Sequence, residues 1–127
     1  MSNQVQHLGM SYRTLEIWKL AKKQCCEMHK MSLKLPKFEL YEEGSQIRCS
    51  SKSGGSLIVE GYGRRRYKAD YIKYLVQSLA SNDETIFHLE VLYETESLTD
   101  KKLFDYLLDQ AMHLGSMLNN FIQRLEE

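Results

Sequence analysis

Long apolar runs are missing from this chain of 127 residues. The longest are a few residues, such as Leu57-Ile58-Val59, far short of the roughly 20 that a membrane-spanning helix needs. No membrane partner is expected. Only three cysteines occur, Cys25, Cys26 and Cys49, two of them adjacent. An odd number with that spacing gives neither a disulfide framework nor a zinc site of paired ligands, so no metal and no cofactor is expected. The start, MSNQVQHLGMS, lacks a basic stretch followed by an apolar one, which excludes a secretory signal and makes a cytoplasmic address the expectation. Proline occurs once, at Pro36. No segment alternates polar and apolar residues as a strand does. No arrangement of residues forms a recognisable catalytic centre, so an enzyme is not expected.

What is present is a helical period. Hydrophobic residues make up 43% and charged ones 27%, ordinary values for one globular domain of this length. Residues 1–10 carry no period and read as a flexible tail. Tyr12, Leu15, Trp18, Ala21, Cys25 and Met28 share one face of a helix over about 12–33, with Ile17 and Leu20 off that stripe. Pro36 ends it, because proline disfavours helical conformation in the residue before it. A second helix starts near Phe38 to Tyr41 and runs to Gly61 and Gly63. Gly54-Gly55 interrupts it, predicting a kink or flexible joint. The glycines at 61 and 63 are expected to close this helix in the left-handed conformation.

A third helix spans about 68–94, with Ile72, Leu75, Leu79, Asn82, Ile86, Leu89 and Tyr93 on its stripe. Asn82 there is a candidate register-setting amide. Glu84 and His88, four apart, share a face as a polar pair. They would matter chemically only by converging with Glu60 on a pocket. After Ser97 or Thr99 as N-cap, a fourth helix spans about 99–125, and Gly115 inside it permits close helix contact. Four helices on short loops predict an all-α fold: an antiparallel up-down-up-down four-helix bundle as a single domain over 1–127.

Net charge is zero, but it is unevenly spread. Residues 1–73 hold 14 Lys+Arg against 7 Asp+Glu, and residues 74–127 hold 3 against 10. Arg64, Arg65, Arg66 and Lys68, placed at the start of the third helix, repel one another and its dipole, and so invite an anionic partner. Two readings stay open. With Arg48 the cluster is a surface for RNA or DNA, helped by tyrosines able to stack on bases. Alternatively the arginines pair with acidic residues of the second half, in the same or another protein chain.

Several motifs carry a resemblance over nearly the whole chain, from Tyr12 to Leu125. Tyr12-Arg13-Thr14-Leu15-Glu16-Ile17-Trp18, Ser45-Gln46-Ile47-Arg48 and Ile58-Val59-Glu60-Gly61-Tyr62-Gly63-Arg64 are followed by Asp70-Tyr71-Ile72-Lys73-Tyr74-Leu75 and Leu114-Gly115-Ser116-Met117-Leu118-Asn119. Together they resemble the four-helix bundle proteins related to those encoded in intervening sequences of bacterial large-subunit (23S) ribosomal RNA genes. The chain departs where that family has Ser-x-Pro-Ser-Asn, here Ser53-Gly54-Gly55-Ser56-Leu57. The resemblance implies a left-handed bundle, a homo-oligomer that is commonly a pentamer, and no enzymatic activity. It makes Trp18, Gln46, Glu60, Gly61, Tyr62 and Gly63 family-motif residues. More distant relatives, the accessory proteins of diversity-generating retroelements, bind nucleic acid and a protein partner. By this route a nucleic-acid scaffold is the leading expectation and a protein-binding scaffold the alternative.

Overall fold

A computed structural model describes residues 11–127; the tail expected over 1–10 lies outside the described residues. Four helices account for most of the chain: α1 Glu16–Ser32, α2 Glu43–Gly63, α3 Lys68–Glu94 and α4 Lys101–Glu126. Short 3-10 turns at Tyr12–Thr14 and Lys37–Leu40 precede α1 and α2. No strand occurs among the described residues. The all-α reading holds.

Element ends differ from the sequence reading for local reasons. The Ser11 hydroxyl accepts from the Arg13 N–H at 3.2 Å and Leu15 is extended, so α1 begins at Glu16 rather than at Tyr12. Pro36 takes an extended ψ of 146°, and α1 stops short of it at Ser32. Before α2, the buried Glu39 carboxylate accepts from the Glu43 N–H at 3.0 Å and from the Ser97 hydroxyl at 2.6 Å. One side chain thus joins the first connection, the start of α2 and the α3–α4 connection. With Ser97 so engaged, Asp100 caps α4 instead of Ser97 or Thr99, accepting from the Leu103 N–H at 3.1 Å.

Contacts across the seams fix the helix directions. Glu43, Ser50 and Gly54 of α2 meet His88, Thr85 and Ser78 of α3; as one number rises the other falls, so the two helices are antiparallel. The same holds for Arg48 with Ser32 and Lys52 with His29 across α1–α2, and for Tyr71 with Phe121 and Tyr93 with Phe104 across α3–α4. Tyr106 of α4 reaches Glu27 and closes the bundle against α1. The order is up-down-up-down.

The core has two apolar blocks. Ile17, Ile58, Leu75, Leu114 and Leu118 belong to one, and Met28, Ile47, Leu89, Leu92 and Leu107 to the other. A polar layer lies between them: Gln24 Nε2 donates to Asn82 Oδ1 at 3.0 Å, and Asn82 Nδ2 donates to the Ala111 carbonyl at 2.8 Å. Ile17, expected off the stripe of α1, is only 3% exposed and belongs to the core.

The expected joint at Gly54-Gly55 does not exist. Helix α2 runs unbroken from Glu43 to Gly63, and both glycines are buried. The serines of this stretch form a small polar face that pairs with α3. Ser50 meets Thr85 at 2.8 Å, Ser53 meets Ser81 at 3.3 Å, and the Gly54 carbonyl accepts from the Ser78 hydroxyl at 2.7 Å. These pairings also explain a shift in α3. Its buried stripe is Tyr71, Leu75, Ser78, Asn82, Thr85, Leu89 and Leu92, while Ile72, Leu79, Ile86 and Tyr93 move to half-buried edges.

Candidate functional site

The basic cluster is the turn between α2 and α3. Helix α2 stops at Gly63 with Arg64 as C-cap at φ −105°, and no described glycine has positive φ. The expected left-handed closure is therefore replaced by an ordinary turn in which Arg64 N–H donates to the Gly61 carbonyl at 2.9 Å and Arg65 N–H to the Tyr62 carbonyl at 3.2 Å. Gly61 serves packing instead: a Cβ there would stand 3.1 Å from the Tyr74 Cβ and 3.4 Å from the Tyr71 ring.

Placement of the arginines changes their electrostatics. Arg64 and Arg65 follow the carbonyl end of α2, where cations are favoured, while Arg66 and Lys68 flank Tyr67, the N-cap of α3, and so stay at its amide end. Arg65 Nη1 donates to the Tyr62 carbonyl at 2.9 Å with its guanidinium 4.0 Å over the Tyr62 ring, and Arg64 lies 4.8 Å over Tyr74. Such stacking fixes the guanidinium planes and leaves their edge N–H groups for a ligand. Arg66 and Lys68 are exposed, and Tyr67 between them is 63% exposed. None of the ion pairs among the described residues involves Arg64, Arg65, Arg66 or Lys68. Beneath the turn, burial and then the neighbouring Tyr62 push the Tyr71 hydroxyl up to about 12, against the opposing pull of Arg65.

Other predicted residues lie elsewhere. Arg48 donates to Ser32 Oγ at 2.9 Å and to the Leu40 carbonyl at 2.6 Å, tying α2 to the first connection. It is sixteen positions from Arg64, about 24 Å along the helix, so the structure does not bring it to the cluster. Trp18 is half-buried with Tyr12 edge-on at 5.1 Å and Lys22 over its ring. Gln46 and Glu60 are exposed, and Gly63 faces open space.

His88 is 8% exposed and spans two carboxylates. Its Nε2 lies 3.5 Å from Glu84, as expected, but the shorter contact is Nδ1 to Glu43 Oε2 at 2.6 Å. Sequence reasoning missed Glu43 because it sits 45 positions from His88. Glu60 is seventeen positions from Glu43 on α2, about 25 Å along the axis; Glu60, Glu84 and His88 do not converge. Among the described residues no cluster of three or more His, Cys, Asp or Glu is placed to hold a metal. The three cysteines are free, and burial raises the Cys25 thiol above its ordinary value.

Fold and site together define a four-helix bundle that displays a basic, tyrosine-flanked turn at one end and carries no helix long and apolar enough to cross a membrane among the described residues. The chain belongs to the family described as 23S rRNA-intervening sequence protein, which it matches over residues 13–120. A crystal structure of a protein of unknown function from the S23 ribosomal protein family of Bacteroides thetaiotaomicron VPI-5482 has the same fold. It superposes with a TM-score of 0.73 at 21% identity, covering 84% of this chain and 97% of that one. No curated protein matches the sequence.

Proposed function

We propose that this protein is a non-enzymatic, self-assembling bundle, a ring of five by its resemblance, that binds RNA or DNA phosphates through the turn Arg64–Lys68. One observation carries this reading: four neighbouring cations are exposed beside Tyr67 and no carboxylate of the described chain pairs with them. Concentrated unpaired positive charge attracts polyanions, and an exposed tyrosine offers a stacking surface for bases. The alternative, a scaffold for protein only, rests on the acidic surplus of residues 74–127. It would direct the arginines onto carboxylates of another chain.

Anisotropy of labelled RNA and DNA, with mass by light scattering, separates the two. Four phosphate contacts predict a loss of affinity of roughly a hundredfold between 50 and 200 mM salt, and the triple variant Arg64→Ala, Arg65→Ala, Arg66→Ala should keep only about a fourfold dependence. The variant should keep the wild-type mass. Absence of salt-sensitive binding, with a triple variant that drops to a smaller mass, would give the arginines to a protein interface.

A further inference from the structure

The seam between α1 and α4 is the most sparsely packed of the bundle. Two troughs of about 270 Å³ and about 190 Å³ run along it. Leu20 and Met117 line the first, with Met31, Leu103 and Leu107 in the second. Between them, the buried amide oxygens of Gln24 and Gln110 have no hydrogen-bond partner among the described residues, which is uncommon for buried polar groups. Along one wall stand Lys23, Lys30 and Lys34, all exposed and none in an ion pair among the described residues.

A surface of matching chemistry lies on the outer face of α3. Asp83, Glu90 and Glu94 are exposed and likewise in no ion pair among the described residues, and Phe87, 57% exposed, falls on the same helical face. The spacings agree. Lys23, Lys30 and Lys34 are separated by seven and four positions, and so are Asp83, Glu90 and Glu94. Reversing one helix would turn seven-then-four into four-then-seven, so all three pairs form only with the helices parallel.

We infer that α3 of one copy of this chain docks on the α1–α4 seam of the next, pairing Asp83 with Lys23, Glu90 with Lys30 and Glu94 with Lys34. Phe87 then enters the second trough, which Met31, Tyr106 and Leu107 line together with Glu27, whose carboxylate accepts from the Tyr106 hydroxyl at 3.0 Å. The two surfaces are different, so the contact is heterologous, and such contacts close into rings only when successive copies do not climb along the axis. Within one chain α1 and α3 run the same way, and the Gln24–Asn82 hydrogen bond at 3.0 Å sets residue 24 level with residue 82. Lys23 and Lys30 of α1 are thus level with positions 81 and 88, while Lys34 follows them in the turn beyond Ser32, its N–H donating to the Met31 carbonyl at 3.1 Å. Asp83 and Glu90 lie two positions further on, a rise of about 3 Å, which a lysine side chain spans. A rotation about an axis parallel to the helices joins the triads with almost no climb. The inference rests on the self-assembly part of the proposed function and names its contact.

Mass by light scattering on the full chain tests it, with circular dichroism as the check on folding, because all six residues are exposed. The variant Lys23→Glu, Lys30→Glu, Lys34→Glu and the variant Asp83→Lys, Glu90→Lys, Glu94→Lys should each fall to the single-chain mass of 14.9 kDa. The six-fold variant, which reverses both surfaces, should recover the wild-type mass. If the wild type is an oligomer and either triple variant keeps its mass, the contact lies elsewhere and self-assembly stands. If both triple variants dissociate but the six-fold variant does not reassemble, the triads do not pair with each other and the inference falls. A wild type of single-chain mass at all concentrations removes self-assembly and this contact together.

Discussion

At the scale of single residues, glycine has opposite roles in different parts of α2. A Cβ at Gly54 would meet the Ser78 carbonyl oxygen at 3.9 Å, and one at Gly55 the Ala21 Cβ at 3.9 Å, both ordinary contacts. Since the helix is continuous there, each glycine costs unfolded-chain entropy without relieving a clash. Gly54→Ala and Gly55→Ala should each stabilise the fold by about 0.5–1 kcal/mol, read as a rise in the urea midpoint at constant slope. Gly44 differs, because a Cβ there would overlap the Glu39 carbonyl oxygen. Gly44→Ala should destabilise by about 1–3 kcal/mol in the same measurement. A hinge at Gly54-Gly55 would give the reverse order of effects.

At the scale of elements, the number, length and order of the helices were legible because apolar period and turn residues are local signals. Leu75 and Leu89 were placed on the apolar stripe of the third helix from spacing alone, and both are fully buried. What failed depended on a partner distant in sequence. Gly54-Gly55 reads as a break until Ser78 and Ala21 are seen against it. The N-cap passed from Ser97 to Asp100 because Glu39, 58 positions away from Ser97, takes the Ser97 hydroxyl. The arginine cluster was legible as residues but not as electrostatics, since only the turn shows that Arg64 and Arg65 follow the carbonyl end of α2.

Asn82 is the clearest element-scale success, a polar member of an apolar stripe that links three helices. Removing its amide leaves the buried Gln24 Nε2 and the Ala111 carbonyl without their partner. Asn82→Ala should cost about 2–4 kcal/mol by chemical denaturation, more than the loss of one exposed hydrogen bond. A cost below about 0.5 kcal/mol would show that water replaces the amide and that the layer does not hold the helices in register.

At the scale of the whole molecule, the basic turn and the proposed subunit contact occupy different surfaces, so assembly and anion binding can be varied separately. A ring presents one Arg64–Lys68 turn per copy, and a nucleic acid long enough to reach two turns binds the second as an intramolecular event. Affinity should then climb with oligonucleotide length, by tenfold or more once two turns are spanned. The Lys23, Lys30, Lys34 reversal, reduced to single chains, should bind short oligonucleotides through the same turn. Added length should gain it only the small statistical increase from more overlapping sites. Comparing lengths within each protein cancels the effect of its altered net charge. An equal length dependence in ring and single chain would mean that only one turn engages at a time, with the basic ends facing away from one another around the ring.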